Sequence, residues 1–302
     1  MQKKINRKSK YSSLWNKEFI YSLINLIYYI LYAFYIILFL VSFINLVSQP
    51  ILKRTSKNND DFISILIPAR NEEDNIKIIL NSIIFQEYKN YEIIVLDDDS
   101  KDQTENIVLD YSKKYQQIKL INGKSIPSKW LGKNWACHQL ANEANGEYLL
   151  FLDADTVIES GLINSSLEFI KKNDLKLLSI FPQQIMSSFG EKLIVPLMNN
   201  ILLSLLPLIL IPLSKIDSLA AANGQFMLFQ ANNYKENNWH QQAKNKITED
   251  ITIIRMMKKQ GFRCATLLGN NLIKCRMYKS LKEGINGFSK NIVLMLGDSL
   301  FF

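Results

Sequence analysis

The sequence predicts an α/β fold: a mostly parallel sheet covered by helices on both faces, carried behind an N-terminal transmembrane helix. Three observations predict it. From residue 61 to 278, buried apolar runs alternate with amphipathic, helix-spaced segments, the pattern of parallel strands joined by crossover helices. Three of those runs end in polar, mostly acidic clusters, and in such sheets ligands sit in the crevice beyond the carboxyl ends of the strands. From Phe19 to Leu52 no residue is charged.

Residues 1–18 form a basic tail. Lys3, Lys4, Arg7, Lys8, Lys10 and Lys17 stand against Glu18, so the other 284 residues carry only +3 of the net +8. That is a poor footprint for a nucleic-acid groove, and no nucleic-acid partner is expected; it suits an anionic membrane surface. Residues 19–48 are almost wholly apolar and aromatic. A helix over this stretch reaches about 45 Å at ~1.5 Å per residue, against a hydrocarbon core of about 30 Å. It lacks a small-residue cleavage site, so a retained span is expected. The cations before it favour a cytoplasmic N-terminus, while Lys53, Arg54 and Lys57 after it pull the other way. Residues 49–60 read as a polar linker. Cys137, Cys264 and Cys275 show no paired spacing and fit reduced, packed thiols.

Within 61–278, Phe62–Ile67 is an apolar strand ending in Pro68-Ala-Arg-Asn-Glu72, followed by helical spacing of Ile76, Ile79, Leu80, Ile83 and Ile84. Tyr91–Leu96 is a second strand, ending in Asp97-Asp-Asp-Ser100. A helix over 102–114, a short strand over 117–121, a loop with Lys129 and Lys133, and a helix over 135–144 follow. Tyr148–Leu152 is a third apolar strand, ending in Asp153 and Asp155. Their i, i+2 spacing puts both carboxylates on one face of an extended chain. Two such acids repel unless a cation lies between them, and Mg²⁺ shared with a substrate phosphate is the natural partner. No Gly-x-Gly-x-x-Gly follows the first strand and no Gly-Lys-Ser/Thr loop occurs, which sets aside dinucleotide-binding and P-loop readings.

Residues 193–214 are again uncharged but contain Pro196, Pro207 and Pro212. An interfacial, membrane-associated helix pair is expected there rather than a span, with a buried core helix as the other reading. Ala221–Phe226 opens another strand. Thr248-Glu249-Asp250 starts a helix and, taken alone, reads as its cap. Residues 279–302 read as an amphipathic C-terminal segment, the start of a further membrane helix.

Taken in order, Pro68-Ala-Arg-Asn-Glu72, Asp97-Asp-Asp-Ser100, Asp153-Ala-Asp155 and Thr248-Glu-Asp250 resemble the signature series of family 2 glycosyltransferases, which have the GT-A fold. The resemblance covers roughly residues 60–291. Trp130-Leu-Gly-Lys-Asn-Trp135, Ala222-Asn-Gly-Gln-Phe226 and Arg276-Met-Tyr278 look like the membrane-bound branch, which holds carotenoid-acid, hopanoid and ceramide glycosyltransferases. The resemblance implies that Pro68, Arg70, Glu72 and Asp98 hold the base and ribose of a nucleotide-sugar, a UDP-sugar, with Lys129, Lys133 and Arg276 countering diphosphate charge. It implies that Asp153 and Asp155 bind Mg²⁺ or Mn²⁺, and that Asp250, beside Glu249, is the general base. The acceptor would be a membrane lipid or isoprenoid, approached from the cytosol, where nucleotide-sugars are made. Transfer to a polyprenyl phosphate and a non-catalytic scaffold are the competing readings. Two positions depart from the pattern. Asp99 stands where the family has glycine, and only Arg276 survives of the Gln-x-x-Arg-Trp motif of processive enzymes.

At the level of single residues other readings stay open. Arg70 and Glu72 would serve as an exposed ion pair, one of Asp97–Asp99 as a turn or cap residue, Lys129 and Lys133 as loop solvation, and His240 as an acceptor neighbour or a surface histidine.

Overall fold

The computed structural model describes residues 2–278, 280–285 and 287, with side chains from residue 19 onward except that of Met198. Helix α1 runs Gln2–Ser48, so the helix continues back through the basic stretch. Its segment Phe19–Ser48 is long and apolar enough to cross a membrane, and only 6% of its most apolar window is buried. The segment expected over 279–302 lies for the most part outside the described residues.

The central sheet has seven strands: β1 (Ile63–Ala69), β2 (Tyr91–Asp97), β3 (Ile118–Asn122), β4 (Tyr148–Leu152), β6 (Leu177–Phe181), β8 (Phe226–Gln230) and β9 (Cys264–Leu268), in the order β3-β2-β1-β4-β8-β6-β9. The first four are mutually parallel, β8 runs antiparallel to both β4 and β6, and β6 pairs with β9 in parallel. Between them lie α2 (Ile76–Ile84), α3 (Thr104–Lys114), α4 (Gly132–Glu143), α5 (Leu162–Lys172), α6 (Phe189–Leu205), α7 (Ala231–Asn237), α8 (Trp239–Gln242) and α9 (Glu249–Lys259). A second small sheet joins β5 (Thr156–Ile158), β10 (Ile273–Cys275) and β7 (Gln183–Gln184).

Alternate residues of each strand feed two cores. Ile63, Ile65 and Ile67 of β1 pack with Ile76 and Ile79 of α2 and Leu162 of α5 on one face. Leu66 of β1, Leu149 and Phe151 of β4, Leu140 of α4 and Ile253 of α9 fill the other. Burial on both faces explains why β1, β2 and β4 are near-continuous apolar runs.

The expected helix pair over 193–214 is one helix, α6, followed by a 3₁₀ turn at Leu208–Leu210. Pro196 lies inside α6, while Pro207 ends it by holding Leu206 extended at φ −127°, ψ 116°.

The seam between β1 and β4 tolerates no side chain at Gly146. The Gly146 N–H donates to Ser64 Oγ at 2.8 Å, and a Cβ there would drive into the Ser64 backbone nitrogen and hydroxyl. Ser64 is fully buried and donates to Glu92 Oε1 at 2.6 Å. Gly146→Ala is therefore expected to cost about 3 kcal/mol, at the upper end of core overpacking. Urea unfolding of the purified chain measures it, and a loss under about 1 kcal/mol would show that the seam yields.

Candidate active site

Pro68, Ala69, Arg70, Glu72, Asp98, Gly132, Lys133, Ala136, Asp153, Ala154 and Asp155 line one pocket of about 330 Å³ at the carboxyl ends of β1, β2 and β4. The loops after β1 and β2 are laced together. Asn71 N–H donates to Ser100 Oγ at 3.0 Å, Lys101 N–H to Asn71 Oδ1 at 2.8 Å, and Glu72 N–H to Thr104 Oγ1 at 2.7 Å. Asp97 is the turn residue of its cluster, its Oδ2 accepting the Ser100 N–H at 3.1 Å. Asp98 lines the pocket, with Arg70 Nη1 3.6 Å from its Oδ2. Burial raises the Asp98 pKa and Arg70 opposes that rise. Asp99, in the place of the family's glycine, sits at φ 60°. This left-handed conformation is one that aspartate tolerates better than most residues.

Antiparallel pairing of β8 with β4 sets Phe226 opposite Leu152. The preceding loop therefore lies against the aspartates, with Asp153 N–H on the Gln225 carbonyl at 3.3 Å. Lys133, on the first turn of α4, joins the two halves of the site. Its Nζ lies 2.9 and 3.0 Å from the two Asp153 oxygens and 3.3 Å from Glu249 Oε1. Burial opposes that ammonium, but Asp153 and Glu249 outweigh it and hold it charged. Asp250 follows. Its Oδ2 accepts the Gly224 N–H at 2.9 Å and its Oδ1 the Ile251 N–H at 2.7 Å. Burial, then the neighbouring charge of Glu249, push its pKa well above the ordinary aspartate range. The Thr248 side chain makes no cap bond; the helix start is served by Asp250 itself.

Asp155 carries the observation that bears on a metal. Its Oδ1 is buried without a hydrogen-bond partner, while its Oδ2 accepts from Cys275 Sγ at 3.4 Å. Burial and the Asp153 charge push its pKa up to about 6. A hard cation satisfies such an oxygen. Among the described residues no group of three or more His, Cys, Asp or Glu side chains gathers as a metal cage. Two carboxylates plus oxygens from a diphosphate and water fit Mg²⁺ or Mn²⁺, which keep few protein ligands.

Two expected residues are not brought to the pocket. Lys129 sits in an exposed loop at φ 69°. Arg276 is neutralised elsewhere, its Nη2 bonding Glu191 Oε1 at 2.9 Å. Arg276 and the Ser187 N–H hold the Glu191 carboxyl down at about 2. This ties the end of β10 to the start of α6, and a role for Arg276 in countering diphosphate charge requires that pair to open. His240 is neither a surface group nor a pocket group. It is buried with Nδ1 2.6 Å from the Tyr234 hydroxyl, and burial pushes its pKa down to about 3. Sequence reasoning missed Gly224 and Cys275. Gly224 stands in a segment that carries the resemblance, whereas nothing around Cys275 signals its contact.

Residues 64–198 match the family model described as glycosyl transferase family 2. The chain carries a glycosyl transferase family 2 domain. A 4,4'-diaponeurosporenoate glycosyltransferase of Staphylococcus haemolyticus is 26% identical over 245 residues, covering 80% of this chain and 64% of that protein. A protein of the same name from Staphylococcus aureus is 27% identical, covering 76% and 61%. The chain thus spans less than two thirds of the length of these relatives. The mannosyltransferase PcManGT of Pyrobaculum calidifontis, solved with GDP-Man and Mn²⁺, superposes with a TM-score of 0.60 at 15% identity, covering 86% and 73% of the two chains. S. aureus TarS in complex with UDP gives 0.52 at 20% identity, covering 80% and 67%. The fold of this chain is GT-A.

Proposed function

We propose that this family 2 chain is an inverting, metal-dependent glycosyltransferase. It moves a sugar from a nucleotide-sugar, a UDP-sugar, to a hydroxyl or carboxyl of a membrane lipid or isoprenoid acceptor at the cytosolic face of the cell membrane. The observation that supports this is Lys133 touching at once Asp153, a candidate metal ligand, and Glu249, the neighbour of the candidate base Asp250. Arg70, Glu72 and Asp98 offer the corner for base and ribose. The amino end of α4, with Lys133, presents positive charge to the diphosphate. Asp153 and Asp155 would hold Mg²⁺ or Mn²⁺, which when bound neutralises charge on the departing diphosphate. Asp250 accepts the acceptor's proton as the new C1–O bond forms and the C1–O bond to the diphosphate breaks on the opposite face. The relatives' name supports an apolar acceptor, as does the apolar length of α1.

Membranes containing the full chain, incubated with a panel of radiolabelled UDP-sugars and a carotenoid acid or hydroxylated polyisoprenoid, are expected to yield labelled lipid with Mn²⁺ or Mg²⁺ and none with EDTA. Absence of both transfer and UDP release from every donor, with metal present, would leave a non-catalytic scaffold.

A further inference from the structure

Residues 206–219 belong to neither sheet, yet two buried polar side chains pin them. Asn45, in the apolar helix α1 and only 6% exposed, donates Nδ2 to the carbonyls of Leu203 and Leu206, both at 2.8 Å. Its Oδ1 accepts the Leu208 N–H at 2.9 Å. These are groups that a helix end leaves without partners, so α1 caps α6 from outside. From the other side Lys258 of α9, buried, donates Nζ to the carbonyl of Ile211 at 2.8 Å and to that of Leu219. A polar side chain in an apolar helix is costly unless fully bonded. Asn45 is fully used, and what it secures is the position of α6.

The surface so held is apolar. Phe189, Leu193 and Leu197 form an i, i+4, i+8 stripe on α6, with Phe189 78% exposed, and Leu213 (71%) and Ile216 are exposed in the segment that follows. Such a concentration exceeds scattered surface hydrophobes. α6 packs against α1, whose span is almost unburied. The exposed Lys192 and Lys215 flank this surface, as lysines that reach for phospholipid headgroups do. The same segment runs through Ala220–Asn223 into Gly224, the donor to Asp250.

We propose that the outer face of α6 and residues 207–216 is a contact surface for a phospholipid bilayer, continuous with α1, and that Asn45 is the positioning residue that sets the acceptor side of the site at membrane level. The surface rests on α1 lying in a bilayer and is independent of the sugar chemistry, whereas the role of Asn45 rests also on the proposed transfer reaction.

The three native cysteines are buried, so a cysteine introduced in the full chain takes an environment-sensitive fluorophore. Labels at Leu31→Cys in α1, Leu213→Cys, and Phe85→Cys at the end of α2 against the opposite sheet face are compared in phosphatidylcholine/phosphatidylglycerol vesicles with nitroxide-bearing acyl chains. Quenching of about twofold or more is expected at 31 and 213 and none at 85. Quenching at 31 but not 213 overturns the surface while sparing the membrane helix; quenching at neither overturns both. Self-quenching at 213 that grows with protein density identifies a second copy as the occupant and also overturns it. Asn45→Leu is expected to keep the signal at 31 and reduce that at 213. It should also raise the acceptor KM with the donor KM unchanged; equal changes in both would mark a merely structural role.

Discussion

Asp250→Asn is expected to lower kcat for transfer to a hydroxyl-bearing lipid by about 10³-fold, the middle of the range for a general base, with UDP binding unchanged. Burial and the adjacent Glu249 charge raise the Asp250 pKa, against the Ile251 N–H, Lys133 and the Gly224 N–H. A base acts deprotonated, so the rate rises with pH through this elevated pKa, and the acid limb lies alkaline of an ordinary aspartate near about 4. Glu249→Gln removes a raising charge and should move the limb to lower pH. Lys133→Met removes a lowering one and should move it higher. A carboxylate acceptor arrives already ionised and needs no base. With a carotenoid acid the Asp250→Asn loss should therefore fall below about tenfold, so the ratio of the two losses reads how much of the Asp250 contribution is proton removal. Loss below about tenfold with the hydroxyl acceptor as well would remove Asp250 from the base role.

The parts of this site readable from the sequence are those written in short range. β1, β2 and β4 are apolar runs that stop at charged clusters, because strands buried on both faces must be apolar until they reach the sheet edge. What stayed hidden depends on contacts far apart in the chain. Lys133 meets Asp153 and Glu249 across separations no local pattern encodes, and Arg276 finds Glu191 on α6. The direction of β8 was equally hidden, since an apolar run reads the same in either sense. Strands of two or three residues such as β7 and β10 are too short to show alternation. Pro196 stands inside α6, because a proline removes one helix donor without ending every helix that holds it. Asp99 departs from the resemblance and sits at φ 60°, a left-handed conformation that glycine adopts without cost and aspartate tolerates.

Asp155→Asn should reverse its effect on stability when ligand is added. Burial and Asp153 raise the Asp155 pKa to about 6 in the folded chain, against about 3.9 when unfolded. A raised carboxylate contributes stability below the unfolded value that is lost as pH rises through the folded one. At pH 7.5 the ionised, partnerless Oδ1 therefore costs stability in the ligand-free protein, and the neutral asparagine is expected to melt higher. With Mn²⁺ and UDP present, ligand that binds only the folded state stabilises the native chain by mass action. The variant, with one carboxylate left, should bind the pair at least about 100-fold more weakly and gain little. Thermal melts of both proteins with and without Mn²⁺–UDP read the crossing, and calorimetric titration reads the affinity. The alanine variant separates charge from the Cys275 contact: it should lose the ligand effect while also losing the stability gain. Unchanged Mn²⁺–UDP stabilisation in Asp155→Asn would show that the paired aspartates do not hold the metal. A native chain that melts higher than the variant without ligand would show that Cys275 and its surroundings already compensate the buried charge.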